Sequence, residues 1–299
     1  MNNKEDRRSL EEINEKPWNI KSDYSPLFIP AGYASKWYKD SYWKTNEGCE
    51  IHVIEYKNKN EVIYEFTDNI GVYYSSRLAE IRSGKIKNPY KYGKYGGYFG
   101  EGEYTKRQHL KMYDSWKGMI ERCSGLSTNP RNFAYENVSI CPGWQNYQNF
   151  AKWYDGYISQ LNPEYYNDYQ IDKDILQWDK YYKIYCPGGC CIIPSKLNNA
   201  FAGMSHERVV ESDLPIGVHA SGSNKSFIIN ISVSIAPYQG TFEDPMKAFL
   251  RYKELKTAYI RRCVDECLAN GQILPHVRDA VYSIDIKPFP YMKEDYNLG

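Results

Sequence analysis

Apolar and polar residues begin to alternate at residue 49. "CEIHVIEY" (49–56) and "EVIYEFTD" (61–68) repeat with a period of two, and the polar "KNKN" at 57–60 separates them. This pattern predicts a β-hairpin with one buried face. The period then changes. Leu110, Tyr113, Trp116, Ile120 and Cys123 recur at helical spacing, and Gly125 supplies a stop. A short strand and turn, "NVSICPGW" (137–144), leads into a second helical stripe of Tyr147, Phe150, Tyr154, Tyr157 and Leu161. Short strands recur at "PIGVHA", "SFIINISVSI" and "YQGTF". After them a helix is expected from about Asp244 to Ala269. Asp244 is the N-cap, Pro245 occupies the first turn, and Gly271 follows the end. Its buried stripe reads Ala248, Tyr252, Leu255, Tyr259, Cys263 and Cys267.

These elements predict an α+β chain of several modules. A polar and aromatic leader or arm (1–45) carries Trp18, Trp37 and Trp43, with turn signals at Pro26, Pro30 and Gly32. A small β-barrel-like domain (46–104) ends in a flexible Gly/Tyr linker, "KYGKYGGYFGEGEY" (91–104). A helix, strand and helix module (105–201) comes next, then a three-stranded sheet with a long helix (212–285) and a tail (286–299). The glycine-rich stretch contains no GxxxxGK[ST], which argues against a phosphate loop. No internal repeat is visible.

Composition narrows the function. The 299 residues hold 38 basic and 37 acidic side chains, so the chain lacks the cationic excess of a sequence-independent DNA binder. A local basic patch remains open. Tyrosine stands out, with 30 copies. Tyr rings fill cores and turns, and they also provide stiff amphipathic area at interfaces. The first residues, "MNNKEDRRSLEEINEKPW", hold no apolar signal region, and no run reaches the roughly 20 apolar residues of a membrane span. An intracellular site with reduced cysteines is expected.

Several stretches, taken in order, resemble a known family. They are "YDSWKGMIERC" (113–123), "SICPGWQNYQNFAKWY" (139–154), "IDKDIL" (171–176), "YCPGGCCIIPSKLNNAF" (185–201) and "LPIGV" with "GTFEDPMKAFLRYKELKTAYI" (214–260). Together they are similar to phage HNH endonucleases that join a ββα nuclease module to a C-terminal module like the ethylene-response-factor DNA-binding domain. The resemblance covers roughly residues 105–285. It implies a ββα framework in the middle module and a DNA-reading sheet after it.

The residues depart from that pattern where the chemistry sits. HNH catalysis needs a His to deprotonate water and a further His or Asn to hold a divalent metal. The position matching the water-activating His is Lys173, between Asp172 and Asp174. A Lys ammonium donates three hydrogens and accepts none, and flanking carboxylates favour its charged form. The trio is expected to form an ion network on the surface of a retained hairpin. Asn198 and Asn199 match the downstream Asn of the pattern, but on their own they read as a cap or turn. His109, on the first helix, and His206 read as structural or solvated. Cys123, Cys141, Cys186, Cys190 and Cys191 lack the paired CxxC spacing of structural zinc sites, so buried thiols are expected; Cys263 and Cys267 fit the helix core. The strands between Asp213 and Asp244 carry one cation, Lys225, against Asp213, Glu243 and Asp244. That balance argues against DNA binding. Lys247, Arg251, Lys253, Lys256, Arg261 and Arg262 sit instead on the long helix, interleaved with Glu254, Asp265 and Glu266 as a solvated face. No catalytic, cofactor-binding or metal-binding residue is assigned, and no cofactor is expected.

A scaffold without its water-activating residue and its DNA-reading charges suggests reuse. In length, mass and Tyr content the chain resembles phage anti-defence proteins directed against the host Gabija nuclease–helicase complex. That resemblance implies a non-enzymatic homo-oligomer in the host cytoplasm. It would enclose the Gabija complex and block its DNA binding and cleavage. The alternative is a phage HNH-type homing endonuclease or DNA-binding protein. A structural phage component is a third reading.

Overall fold

The computed structural model describes residues 18–19, 38–127, 135–202, 204, 214–222, 226–232, 235 and 240–288. Most of the leader and residues 289–299 of the tail lie outside them, as do His206 and Lys225. The protein is mixed α+β with several small sheets. The chain divides into two compact units, one through Lys91 and one from Tyr92.

The first unit is a five-stranded sheet in the order β1 to β5: β1 (Trp18–Asn19), β2 (Tyr42–Lys44), β3 (Glu50–Asn58), β4 (Glu61–Phe66) and β5 (Asn69–Ser76). All neighbours are antiparallel except β1 and β2. The alternation places Ile51 and Val53 of β3 against Val62, Tyr64 and Phe66 of β4 in a buried cluster. Each such side chain contributes about 1.5–3 kcal/mol through removal from water. Helix α1 (Leu78–Arg82) adds Ile81 to this core. The expected small barrel is an open sheet among the described residues, because β5 pairs only with β4 and stands at the end of the order. Its residues Ile70, Val72 and Tyr73 are exposed, and no side chain in "NIGVYYSS" is charged.

The second unit has one continuous core. Helix α2 (Leu110–Cys123) packs on α3 (Tyr147–Ile158). Tyr147, Phe150, Tyr154 and Tyr157 of α3 are all buried, as their spacing predicts. On α2 the buried residues are Met112, Trp116, Met119 and Ile120. Leu110 is exposed, because the apolar stripe is rotated by about one position from the expected one. Two short sheets follow. Strands β6 (Val138–Ile140) and β8 (Lys183–Tyr185) run parallel; β7 (Tyr169–Asp172) and β9 (Cys191–Pro194) run antiparallel. Helix α4 (Ser195–Ala200) continues directly from β9. A three-stranded antiparallel sheet, β10 (Val218–Ser221), β11 (Ser226–Ile229) and β12 (Thr241–Phe242), packs on α5 (Pro245–Ala269). The Asp244 side chain caps α5 by accepting from the Met246 and Lys247 amides at 2.6 and 3.2 Å. Helix α6 (Pro275–Ser283) closes against α5.

The Gly/Tyr stretch is a packed strap rather than a flexible linker. The Tyr98 amide donates to the Gln145 carbonyl, and the Tyr147 amide donates to the Tyr98 carbonyl. Gln148 accepts from the Tyr104 amide and donates to the Tyr104 carbonyl, both at 3.1 Å. Gly97 lies so close to α2 that a Cβ there would stand 2.8 Å from Trp116 and 2.9 Å from Ile120. Glycine is therefore required both for this contact and for the left-handed backbone, φ +66°, at that position.

Candidate functional site

The stretch expected to carry chemistry starts where β7 ends. The Asp172 side chain turns back on its own backbone: one oxygen accepts from the Asp174 amide at 2.9 Å and the Ile175 amide at 2.8 Å. This Asx-type turn opens a single 3-10 turn, Ile175–Gln177. Gln177 then ties the loop to its surroundings. Its amide nitrogen donates to the carbonyls of Lys173, Ile184 and Gly189 at 3.0, 3.0 and 2.8 Å, and its oxygen accepts from the Ile184 amide at 3.0 Å.

Lys173 lies within this frame. Its ammonium donates to both Asp174 oxygens, at 3.0 and 3.1 Å. The Lys183 ammonium, from β8, donates to one of the same oxygens. Lys173 also stands 4.9 Å over the Tyr135 ring, which carries the Arg122 guanidinium at 5.4 Å. Arg122 and Tyr135 line a cavity of about 360 Å³. Lys173, Lys183 and Asp172 are 4%, 5% and 7% exposed. Both lysines and Asp172 are thus buried and Asp174 is half-buried, where the charge pattern suggested a surface network. Sequence spacing could not show this, because Lys183 and Tyr135 reach the site through pairing and packing.

The electrostatics follow from burial. Removal from water, then the neighbouring Asp174 charge, push the Asp172 carboxyl up to about 6. Burial acts the same way on Asp174, yet the Lys173 and Lys183 ammonium groups outweigh it and hold that carboxyl below its usual range. Burial raises the Cys123 thiol to about 11 and raises Cys190 and Cys191 as well, so these thiols stay protonated.

The other candidates lie apart. Asn198, on α4, donates to Gln170 at 2.7 Å and does not join the carboxylates. Asn199 is the next residue of that helix. His109 occupies the N-cap position of α2 without a side-chain cap and is half-buried, with Nδ1 3.2 Å from the Thr105 carbonyl oxygen. Among the described residues no three His, Cys, Asp or Glu side chains gather as a metal-holding group. A cluster not foreseen from sequence lies in the first unit, where His52 stacks on Tyr42 and reaches Glu65 at 3.2 Å. The antiparallel register that sets His52 opposite Tyr42 and Glu65 brings these rings and charges together.

On α5 the cations are mostly engaged. Arg251 pairs with Glu254 at 2.7 Å, Lys253 pairs with Asp285, and Arg261 stacks on Tyr282. Lys256, expected on the solvated face, is buried and points toward the Ala202 carbonyl. The described residues of β10, β11 and β12 contain neither Lys nor Arg.

No family model, curated protein or solved structure matches this chain. Among the described residues no helix is long and apolar enough to cross a membrane.

Proposed function

We propose that this protein is a phage-encoded inhibitor of host antiviral defence. It binds the Gabija nuclease–helicase complex as a homo-oligomer in the host cytoplasm and sterically blocks DNA binding and cleavage. The observation that carries this reading is the lysine clamp on Asp174. At the position where an HNH enzyme needs a base, Lys173 offers hydrogens and no lone pair, and both nearby carboxylates are already engaged. Two further features support a protein-binding role. Strand β5 is uncharged and exposes Ile70 and Tyr73, and Tyr92 and Tyr182 are exposed in the second unit. Such rings are the anchors protein interfaces favour.

One observation favours a second reading. Strands β7 and β9 followed by α4 make a strand, strand and helix unit, with Asp172 at the end of its first strand. That arrangement supports the HNH-type framework and keeps a phage endonuclease or DNA-binding protein as the alternative.

The test is size-exclusion chromatography with light scattering, run with and without purified Gabija complex. An inhibitor self-associates and co-elutes with the complex. A nuclease instead cuts plasmid with Mg²⁺ or Mn²⁺ and loses that activity on Asp172→Ala.

A further inference from the structure

Two cysteines outside the lysine clamp are brought together by strand register. In the parallel pair β6–β8, Val138, Ser139 and Ile140 stand opposite Lys183, Ile184 and Tyr185. The Cys141 amide donates to the Tyr185 carbonyl at 3.0 Å and so closes the last of these pairs. Cys141 and Cys186 are the residues that directly follow that last pair on the two strands. Each is followed by Pro–Gly, Pro142–Gly143 and Pro187–Gly188. Proline has no N–H to extend a ladder, so both strands stop there and the cysteines lie at the same end.

Paired strands run about 4.7–4.9 Å apart, so residues that follow the same last pair start close together. Disulfides span Cα separations of about 4.4–6.8 Å. Both residues are half-buried, whereas Cys190, Cys191, Cys263 and Cys267 are fully buried. Burial pushes the Cys141 thiol up, backbone hydrogen bonding at Trp144 opposes this, and the nearby Cys186 adds to the rise.

We propose that Cys141 and Cys186 form a reversible redox pair whose oxidant is a low-molecular-weight disulfide such as oxidised glutathione. One cysteine, as its thiolate, attacks the oxidant, forms a mixed disulfide and releases one glutathione. The second cysteine then displaces the other glutathione. Two S–H bonds are lost and one S–S bond joins the ends of β6 and β8. The two protons and two electrons leave on two molecules of reduced glutathione. The bond closes the chain between 141 and 186 and so restricts the unfolded state. This inference does not depend on the inhibitor reading.

The test uses the full-length protein incubated with oxidised or with reduced glutathione, digested without reduction and analysed by mass spectrometry. The expected product is a linked peptide pair containing Cys141 and Cys186. It disappears with dithiothreitol, and the oxidised protein melts at a higher temperature than the reduced one. Cys141→Ser and Cys186→Ser each remove the link, and Cys49→Ser keeps it. Separate glutathione adducts, linkage of either residue to Cys123 or Cys190, or no reaction would each overturn the proposal.

Discussion

The Lys173 ammonium closes on both oxygens of Asp174, at 3.0 and 3.1 Å, in a loop where Lys173 is 4% exposed. In that position the ammonium is held by the carboxylate, and Asp174 is also shared with Lys183. The pair is asymmetric in what its loss does. Asp174→Ala removes the carboxylate that the two buried ammonium groups share. It is expected to cost about 2–4 kcal/mol, toward the lower part of the buried-pair range because Asp174 is 32% exposed. Lys173→Met keeps the aliphatic stem and leaves Asp174 paired with Lys183, so its expected cost is under about 1.5 kcal/mol. Urea unfolding of the two variants checks the order; equal losses would contradict it.

The two carboxylates act in opposite directions with pH. The Asp172 carboxyl is raised in the fold to about 6. Its protonated form therefore favours folding, and that contribution fades as pH rises from about 4 through about 6. Asp174 is lowered, so its contribution is present above the ordinary carboxylate value and fades as pH falls below it. The variant Asp172→Asn keeps an oxygen for the Asp174 and Ile175 amides. It should remove the decline between pH 4 and 6, a difference of about 1–3 kcal/mol against wild type. Denaturant midpoints at pH 4.5 and pH 7 measure this; a variant that keeps the wild-type decline would show that Asp172 is not its source.

The strap makes a separate prediction. Gly97 has a φ of +66° and no room for a Cβ against Trp116 and Ile120. Gly97→Ala should cost about 2–4 kcal/mol from overpacking and left-handed strain. Gly188→Ala, with nothing within 4 Å of the added carbon, should stay within about 0.5 kcal/mol. Thermal unfolding distinguishes them, and equal stability would mean the strap is not held by α2.

Much of the framework was legible in the chain because period and caps are local signals. The hairpin of β3 and β4, the stripe of α3 and the Asp244 cap of α5 all follow from neighbouring residues. Strand β5 was not anticipated, since "NIGVYYSS" does not alternate cleanly and is largely exposed. The strap was misread because glycines that permit contact look, in sequence, like glycines that permit motion. At the candidate site, the trio of Asp172, Lys173 and Asp174 was visible. Its burial was not, because Lys183 and Tyr135 come from segments that only the fold brings near.

The inhibitor reading rests on surface occupancy in place of hydrolysis, and one titration tests it most directly. Plasmid cleavage by purified Gabija complex is followed while this protein is added, beside a control with this protein, plasmid and Mg²⁺ or Mn²⁺ alone. Cleavage should fall to a plateau at a fixed molar ratio, with the plasmid intact in the control. Metal-dependent cutting in the control, or undiminished Gabija cleavage at molar excess, would contradict the account.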